Sequence, residues 1–351
     1  MSRFASRDRA RTTWNESRAY CKMGHMKTAI VIPAYNEAPS VGELVSAIHR
    51  VMQDRGEYHI FFVDDGSTDG TWEILVDLAA ACSALSAYRL RRNFGKTVAL
   101  TVGFSGALAW NPDAVVTMDA DLQDDPDELP RMVDALEKDG VDVVCGWKKH
   151  RQDPLLKCWG SKAFNWWVST LFHVNIHDVN TGFKAYRPEV LRQVTLHSDM
   201  HRLIPVYGAA MGYRVGEVEV RHHPRRYGRS KYGISRIFRG IWDVVAARFL
   251  ASYREAPGHF FGRITLWAIG MAVLGTLPAG VGLSWIGLAT GTELSWVMLI
   301  AAAWLISCCG VMVLWTGVTA GLLAELVLSH TVPCDPAVYV AERTGNHSLP
   351  R

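Results

Sequence analysis

The chain has 351 residues, enough for one large domain or two modest ones. Charged residues make up 20% of it and apolar residues 49%, which excludes an intrinsically disordered protein. The 37 Lys and Arg residues outnumber the 34 Asp and Glu residues by three, a balance that by itself argues neither for nor against nucleic acid; no nucleic-acid partner is expected.

The predicted elements follow a basic N-terminal segment. Residues 1–27 are rich in arginine but contain no apolar run, which excludes a signal peptide and predicts a disordered tail. Short apolar runs then alternate with helical patterns as far as residue 145. Strands are predicted at 28–33, 59–63, 87–90, 114–118 and 141–145, and helices at 40–52, 71–81, 96–110 and 125–138. This alternation predicts a mostly parallel α/β sheet with helices around it.

Two of these helices carry N-terminal signals. Ser40 followed by Glu43 is a capping-box pattern, which predicts that Ser40 opens the first helix. Asp125-Pro-Asp-Glu128 offers an N-cap, a first-turn proline and a glutamate that reaches back, which predicts the start of the last helix.

Two acidic clusters each follow a predicted buried strand. The first is Val63-Asp-Asp-Gly-Ser-Thr-Asp-Gly70, and the second is Met118-Asp-Ala-Asp-Leu-Gln-Asp-Asp-Pro126. Asp-rich turns are common and can serve only solubility. Ligands of parallel sheets, however, bind beyond the carboxyl ends of the strands. Asp119 and Asp121 stand two apart at such an end, where their oxygens can converge on Mg²⁺ or Mn²⁺ together with a nucleotide phosphate.

Several motifs resemble one family of enzymes. They are Ile32-Pro-Ala-Tyr-Asn-Glu37, the two acidic clusters, Arg92-Asn-Phe-Gly-Lys96, Asn180-Thr-Gly-Phe-Lys-Ala-Tyr186, His201-Arg-Leu-Ile-Pro205 and Tyr227-Gly-Arg-Ser-Lys-Tyr232. Together, over about residues 29–232, they closely resemble the family 2 glycosyltransferases of GT-A fold. Within that family they are similar to the polyprenyl-phosphate glycosyltransferases.

The resemblance implies a donor side of the site. Residues that hold the base and ribose would be Pro33, Tyr35, Glu37 and Asp65, with Lys96 near the same pocket. Asp119 would face the donor ribose and diphosphate and contribute to the metal site, while Asp121 would bind the metal with Gln123 close by.

The resemblance also implies a reaction side. Asp178 would lie near the reaction centre and act with Asp121 and Arg202 in catalysis, while Arg202, Arg229, Ser230 and Lys231 would surround the donor diphosphate or the acceptor phosphate. The family's Gly-Phe-Arg segment reads Gly182-Phe-Lys184 here. Lysine is a point charge without the planar fork of arginine, which argues against a bidentate contact at this position.

The C-terminal third predicts a membrane anchor. Residues 264–292 and 294–324 contain no Asp, Glu, Lys or Arg, and about 20 apolar residues suffice to cross a bilayer. The sequence therefore predicts a catalytic domain at 28–232, amphipathic juxtamembrane helices at 233–263, transmembrane helices at 264–289 and 295–323, and a tail at 324–351. The distribution of arginine places the catalytic domain and both termini in the cytoplasm. Glycine-rich spans suggest a homo-oligomer in the lipid bilayer.

The implied reaction is transfer of one sugar from a nucleotide diphosphate to a polyprenyl phosphate, with inversion at the anomeric carbon. The acceptor phosphate is already largely ionised at neutral pH, so Asp178 is expected to orient groups or stabilise the reaction centre more than to remove a proton. UDP-glucose is the favoured donor, with GDP-mannose, UDP-N-acetylhexosamine and an aminoarabinose derivative as alternatives. A processive polysaccharide synthase is disfavoured because the chain has no Gln-x-x-Arg-Trp motif. A non-catalytic membrane scaffold is the alternative of another class.

Overall fold

The computed structural model describes residues 26–138, 140–149, 176–194, 200–224 and 336–345, residue 196, and shorter pieces within 165–174, 240–249, 266–270 and 312–327. The chain divides into two units. The first comprises residues 1–231 and 335–351, and the second comprises residues 232–334. All the strands below belong to the first unit.

The first unit is built on an eight-stranded sheet. Its strands are β1 (Thr28–Ala34), β2 (Tyr58–Asp64), β3 (Leu85–Leu90), β4 (Ala114–Thr117), β5 (Val143–Trp147), β6 (Lys184–Tyr186), β7 (Val215–Glu219) and β8 (Val340–Thr344). Their order across the sheet is β7-β5-β6-β4-β1-β2-β3-β8. The central strands β4, β1, β2 and β3 run parallel, which confirms the predicted α/β sheet.

Two strands run against this direction. β6 is antiparallel to both of its neighbours, β4 and β5, and β8 is antiparallel to β3. Neither strand was predicted, and the sheet is therefore mixed at both of its sides.

Helices cover both faces of the sheet. They are α1 (Ala38–Met52), α2 (Thr71–Ala81), α3 (Lys96–Ala109), α4 (Leu129–Lys138), α5 (Pro188–Gln193) and α6 (Ile204–Ala210). On one face, Ile30 and Ile32 join a buried cluster with Leu44 of α1 and Met132 of α4. On the other face α3 lies so close to the sheet that a Cβ atom on Gly103 would collide with a side chain of β1. The parallel strands are thus buried on both sides, as such sheets require.

The predicted start of the first helix was wrong. α1 begins at Ala38, with Glu37 at the N-cap position. Ser40 lies inside the first turn, where its hydroxyl donates to the Glu37 carbonyl at 2.9 Å. The amide of Ala38 is instead satisfied by the carboxylate of Asp69, at 3.1 Å. A side chain distant in sequence has taken the capping role that the local pattern assigned to Ser40.

The start of the last predicted helix was correct in part. The carboxylate of Asp125 accepts a hydrogen bond from the amide of Asp127 at 3.0 Å, as an N-cap should. A 3₁₀ turn over Pro126–Glu128 then precedes α4. Glu128 does not reach back but accepts from Arg131 at 2.6 Å and from Arg221 at 2.9 Å.

No helix among the described residues is both long and apolar enough to cross a bilayer. The predicted spans 264–289 and 295–323, and the juxtamembrane helices at 233–263, fall mostly outside those residues. The same holds for the basic tail at 1–27, of which residues 26 and 27 are described.

Candidate active site

The candidate site lies where the parallel strands end. β1, β2 and β4 deliver their last residues to one edge of the sheet, and the antiparallel β6 begins at that same edge, with Lys184 paired to Thr117. The chain segments after three strands and before a fourth therefore converge there. This arrangement brings both acidic clusters to the place at which α/β sheets bind ligands.

The loops after β1 and β2 are joined by hydrogen bonds. The amide of Asn36 donates to the Ser67 hydroxyl at 2.8 Å, and the amide of Thr68 donates to the Asn36 carboxamide at 2.9 Å. Asn36 adopts a φ of 54°, a conformation that asparagine tolerates better than most residues. These contacts fix Tyr35 and Glu37, both half-buried, at the edge of the sheet.

Asp65 is buried, and its carboxylate is engaged by main-chain amides. One oxygen accepts from the amide of Phe94 at 2.7 Å and the other from the amide of Gly95 at 2.9 Å. Burial raises the pKa of Asp65 to about 6, against the opposing effect of the two amides. Asp65 therefore fixes the loop that leads into α3, next to the predicted nucleotide pocket.

The position after Asp65 requires a glycine, Gly66. Its φ is +72°, and a Cβ atom there would lie 2.6 Å from the carbonyl carbon of Arg92. The loop containing Arg92 and Asn93 can approach Asp65 this closely only because residue 66 has no side chain.

Asp119 and Lys96 form an ion pair through Asp119 Oδ1. The Asp119 carboxylate also lies directly over Gly182, where a Cβ atom would be 2.7 Å from Oδ2 and 2.9 Å from both Cγ and Oδ1. The side chain of Asp119 remains one-third exposed. Lys96 and Asp119, both predicted as donor-side residues, are thus in direct contact. Asp119 also packs against the backbone of Gly182.

Asp121 is buried beside this pair. Its Oδ1 accepts a hydrogen bond from the amide of Gln123 at 3.2 Å, and Leu122 between them adopts a φ of 58°. This turn draws the chain back on itself and orients the Asp121 carboxylate. Within the described part of the chain, no group of three or more His, Cys, Asp or Glu side chains forms a complete metal cage.

Two carboxylates without a full cage still fit the predicted cation. Mg²⁺ is commonly held in proteins by one or two carboxylates, with water and substrate phosphates as its remaining ligands. Asp119 and Asp121 offer hard oxygen donors at one strand end, and the absence of a Cβ atom on Gly182 leaves space for the Asp119 carboxylate.

A buried cation stands beside the acidic turn, and it was not predicted. Lys148, directly after β5, places Nζ 2.6 Å from Asp124 Oδ1, with only 10% of the lysine side chain exposed. His222 Nδ1 lies 3.8 Å from the same oxygen. Burial acts against the charge of Lys148, but Asp124 raises its pKa, with smaller contributions from Asp119 and Asp178. Lys148 therefore sits as an ammonium ion among the carboxylates of the site.

The acidic turn is also tied to the segment that follows β7. His222 forms an isolated antiparallel bridge with Asp124, and the amide of His223 donates to the carbonyl of Gln123 at 2.8 Å. The ring of His223 lies 3.1 Å from a carboxylate oxygen of Asp125. The two segments are therefore paired residue by residue.

Asp178 is held by Glu217 of β7. The amides of His177 and Asp178 donate to Glu217 Oε1 at 2.7 and 3.1 Å, and His177 Nδ1 lies 2.7 Å from Oε2. The imidazole of His177 stacks on Trp147, with ring centroids 4.4 Å apart. The carboxylate of Glu217 thus accepts from two consecutive amides and fixes the backbone at the buried Asp178. Glu217 was not predicted as a site residue.

Lys184 is buried, and its ammonium group binds a main-chain carbonyl. Its Nζ donates to the carbonyl oxygen of Arg202 at 2.9 Å, and burial lowers the pKa of Lys184 to about 8. The neighbouring His201 bonds the hydroxyl of Thr97 at 2.8 Å. These two contacts fix the short turn that carries Arg202 against the start of α3.

The predicted phosphate-binding residues Arg229, Ser230 and Lys231 lie outside the described residues. Of the others, the donor-side and metal residues are gathered at the carboxyl edge of the central strands. Asp178 and Arg202 come to the same region through the segments on either side of β6.

Residues 29–215 match the family described as Glycosyl transferase family 2. This chain belongs to glycosyltransferase family 2. It is accordingly a glycosyltransferase, and its mostly parallel α/β sheet is that of the GT-A fold.

Curated relatives are similar over most of the chain. The dodecaprenyl-phosphate galacturonate synthase of Rhizobium johnstonii is 37% identical over 313 residues, covering 86% of this chain and 88% of that protein. The undecaprenyl-phosphate 4-deoxy-4-formamido-L-arabinose transferase of Aeromonas hydrophila is 31% identical over 256 residues, covering 72% and 73%. The solved mannosyltransferase PcManGT from Pyrobaculum calidifontis, in complex with GDP-Man and Mn²⁺, has a TM-score of 0.47 and 23% identity, with 87% of each chain covered.

Proposed function

We propose that this glycosyltransferase moves one sugar from a nucleotide diphosphate to a polyprenyl phosphate, with inversion at the anomeric carbon. The observation that carries the proposal is the grouping of Asp119, Lys96 and Asp121 at the end of β4, with Asp119 lying over Gly182. The names of the two curated relatives, both of which act on polyprenyl phosphates, support the acceptor.

Asp119 and Asp121 would hold Mg²⁺ or Mn²⁺, with Gln123 adjacent. When bound, the cation would neutralise charge on the leaving nucleoside diphosphate. Lys96 keeps the Asp119 carboxylate in place and adds positive charge close to the donor. Pro33, Tyr35 and Glu37 would contact the base and ribose, beside the loop that Asp65 fixes.

Asp178 would orient the reacting groups. The attacking atom is a phosphate oxygen, and a phosphomonoester with a second pKa of about 6 is largely ionised at neutral pH. A strong general base is therefore not required. Arg202, together with Arg229, Ser230 and Lys231, would screen the repulsion between the two anionic substrates.

The donor sugar is most consistent with a uronic acid or a modified arabinose. Both sugars appear in the names of relatives that align over more than 70% of this chain. These alignments favour such sugars over the glucose that the sequence alone suggested.

We further propose that residues 264–289 and 295–323 cross the membrane twice, with the catalytic domain and both termini in the cytoplasm. Their lack of charged residues supports the two spans. β8, near the C-terminus, pairs with β3 of the catalytic sheet. An even number of crossings is what allows both ends of the intervening segment to lie on one side. A homo-oligomer through the glycine-rich spans is part of this proposal.

Transfer of radiolabelled sugar into organic-extractable lipid tests the function. Purified full-length protein receives undecaprenyl phosphate, Mg²⁺ or Mn²⁺, and a panel of UDP- and GDP-linked sugars that includes uronic acids and aminoarabinose derivatives. One donor should give a product that EDTA abolishes. Asp121→Asn should lose this activity, while Asp77→Asn, an exposed carboxylate of α2, should retain it. Absence of lipid-linked product with every donor, from folded protein that binds nucleotide, would contradict the proposal.

A further inference from the structure

The last described strand of the chain completes the sheet beside the nucleotide loops. β8 pairs antiparallel with β3, from Ala87 opposite Thr344 to Leu90 opposite Val340, with a register shift between Arg89 and Leu90. Gly345, directly after the strand, has a φ of +99°, and a Cβ atom there would lie 2.7 Å from the Leu85 carbonyl oxygen. The pairing is therefore close and fixed in register at its far end.

Tyr339, directly before β8, contacts the loop that Asp65 holds. Its carbonyl oxygen accepts a hydrogen bond from the amide of Arg91 at 3.1 Å. Its ring meets the ring of Phe94 edge to face, with centroids 5.1 Å apart. The amide of this same Phe94 donates to Asp65 at 2.7 Å. Phe94 is thus held from one side by the C-terminal segment and from the other by Asp65.

Glu342 makes a second connection. Its carboxylate accepts from Trp72 Nε1 at 3.0 Å and from Arg89 Nη1 at 3.4 Å. Arg89 Nε in turn lies 3.7 Å from Oδ2 of Asp64, which is fully buried and directly precedes Asp65. The contact reaches the end of β2 through a single guanidinium group.

Both connections end at the same short stretch of the site. The loop that Tyr339 supports runs through Phe94 and Gly95 into Lys96, and Lys96 pairs with Asp119. Protection of an exposed sheet edge would need only the main-chain pairing of β8 with β3. It does not account for side chains that reach past the strand to the nucleotide loops.

We propose that the C-terminal segment 336–345 is part of the donor site, with Tyr339 and Glu342 as positioning residues for the loop at 91–95 and for Asp65. This inference rests on the proposed donor-binding function of that loop. Without the Tyr339 ring, Phe94 and Gly95 lose their support on the outer side, and the donor pocket is no longer held in its binding geometry before substrate arrives.

The test compares point variants of the full-length protein in the lipid-transfer assay and in nucleotide binding by calorimetry. Tyr339→Ala is expected to raise the donor KM and the nucleotide Kd about tenfold, equivalent to about 1.4 kcal/mol. Its kcat and acceptor KM should stay within twofold of wild type. Tyr339→Phe keeps the ring that packs against Phe94, and its donor KM should be much closer to wild type than that of Tyr339→Ala. Glu342→Ala should shift the donor KM in the same direction by about threefold.

A deletion of 336–345, with the missing peptide supplied in trans, separates positioning from stability. The deletion should raise the donor KM, and the peptide should restore it, whereas a scrambled peptide should not. If Tyr339→Ala and the deletion lower kcat but leave the donor KM and the nucleotide Kd unchanged, the role of the segment is purely structural and the inference is overturned. An unchanged donor KM in Tyr339→Ala would also overturn it. If wild-type protein binds nucleotide but transfers no sugar to lipid phosphate, the proposed function fails while the Kd comparison still decides the inference.

Discussion

Substitution of Gly182 by alanine gives a direct test of the candidate site. The added Cβ atom would lie 2.7–2.9 Å from three atoms of the Asp119 carboxylate. Favourable contacts of carbon with non-bonded heavy atoms lie at about 3.5–4.0 Å, so the carboxylate has to move by roughly 0.7 Å. Such overpacking costs about 1–3 kcal/mol. A misplacement of about 1 Å can lower a rate a hundredfold, so we expect kcat to fall between tenfold and a hundredfold.

Gly42→Ala is the matched control for this substitution. Gly42 lies within α1, and a Cβ atom there meets nothing within 4 Å. The control should keep wild-type kcat and gain up to about 1 kcal/mol of stability from the better helix former. Both variants are compared by sugar transfer to lipid phosphate and by thermal unfolding. If Gly182→Ala folds normally and keeps full activity, Asp119 is not needed where the structure places it.

Three further predictions concern groups around the same edge. Glu217→Ala removes the acceptor for the Asp178 amide and should lower kcat about tenfold to a hundredfold with little change in donor KM. Glu217→Gln can still accept from that amide, so its kcat should fall less. Lys148→Met leaves the Asp124 carboxylate buried without its cation, which should lower the free energy of unfolding by about 3–5 kcal/mol and the unfolding temperature by roughly 10 °C. Adding Asp124→Asn should restore most of this stability. The pKa of Asp65 is raised to about 6, and protonation should remove one of the two carboxylate oxygens that accept from main-chain amides. The donor KM should therefore rise as the pH falls from 7 to 5. Asp65→Asn should flatten this pH profile.

The sequence was sufficient where local pattern and burial agree. The strand at 59–63 and the helix at 71–81 were predicted within one residue of β2 and α2, because each is a compact apolar or amphipathic run bounded by turn residues. The placement of Asp119 and Asp121 at the edge of the sheet was also predictable. A carboxylate directly after a buried parallel strand can lie only at the carboxyl edge of the sheet.

Other features depend on contacts between residues far apart in sequence. Glu217 and Lys148 belong to residue types that are common on surfaces, and nothing near them in sequence indicates burial. Their roles depend on partners far along the chain, which are Asp124 for Lys148 and the amides of His177 and Asp178 for Glu217. Ser40 shows the same limit, since a carboxylate from the loop after β2 caps α1 in its place.

The antiparallel direction of β6 has a consequence for the segment that precedes it. β5 ends at Trp147 and β6 begins beside it, with Cys145 paired to Lys184, so both ends of the intervening segment 148–183 lie at the catalytic edge. Insertions between these two ends can therefore lengthen the segment without shifting the register of β1, β2 and β4, as long as Lys148, Asp178 and Gly182 keep their places.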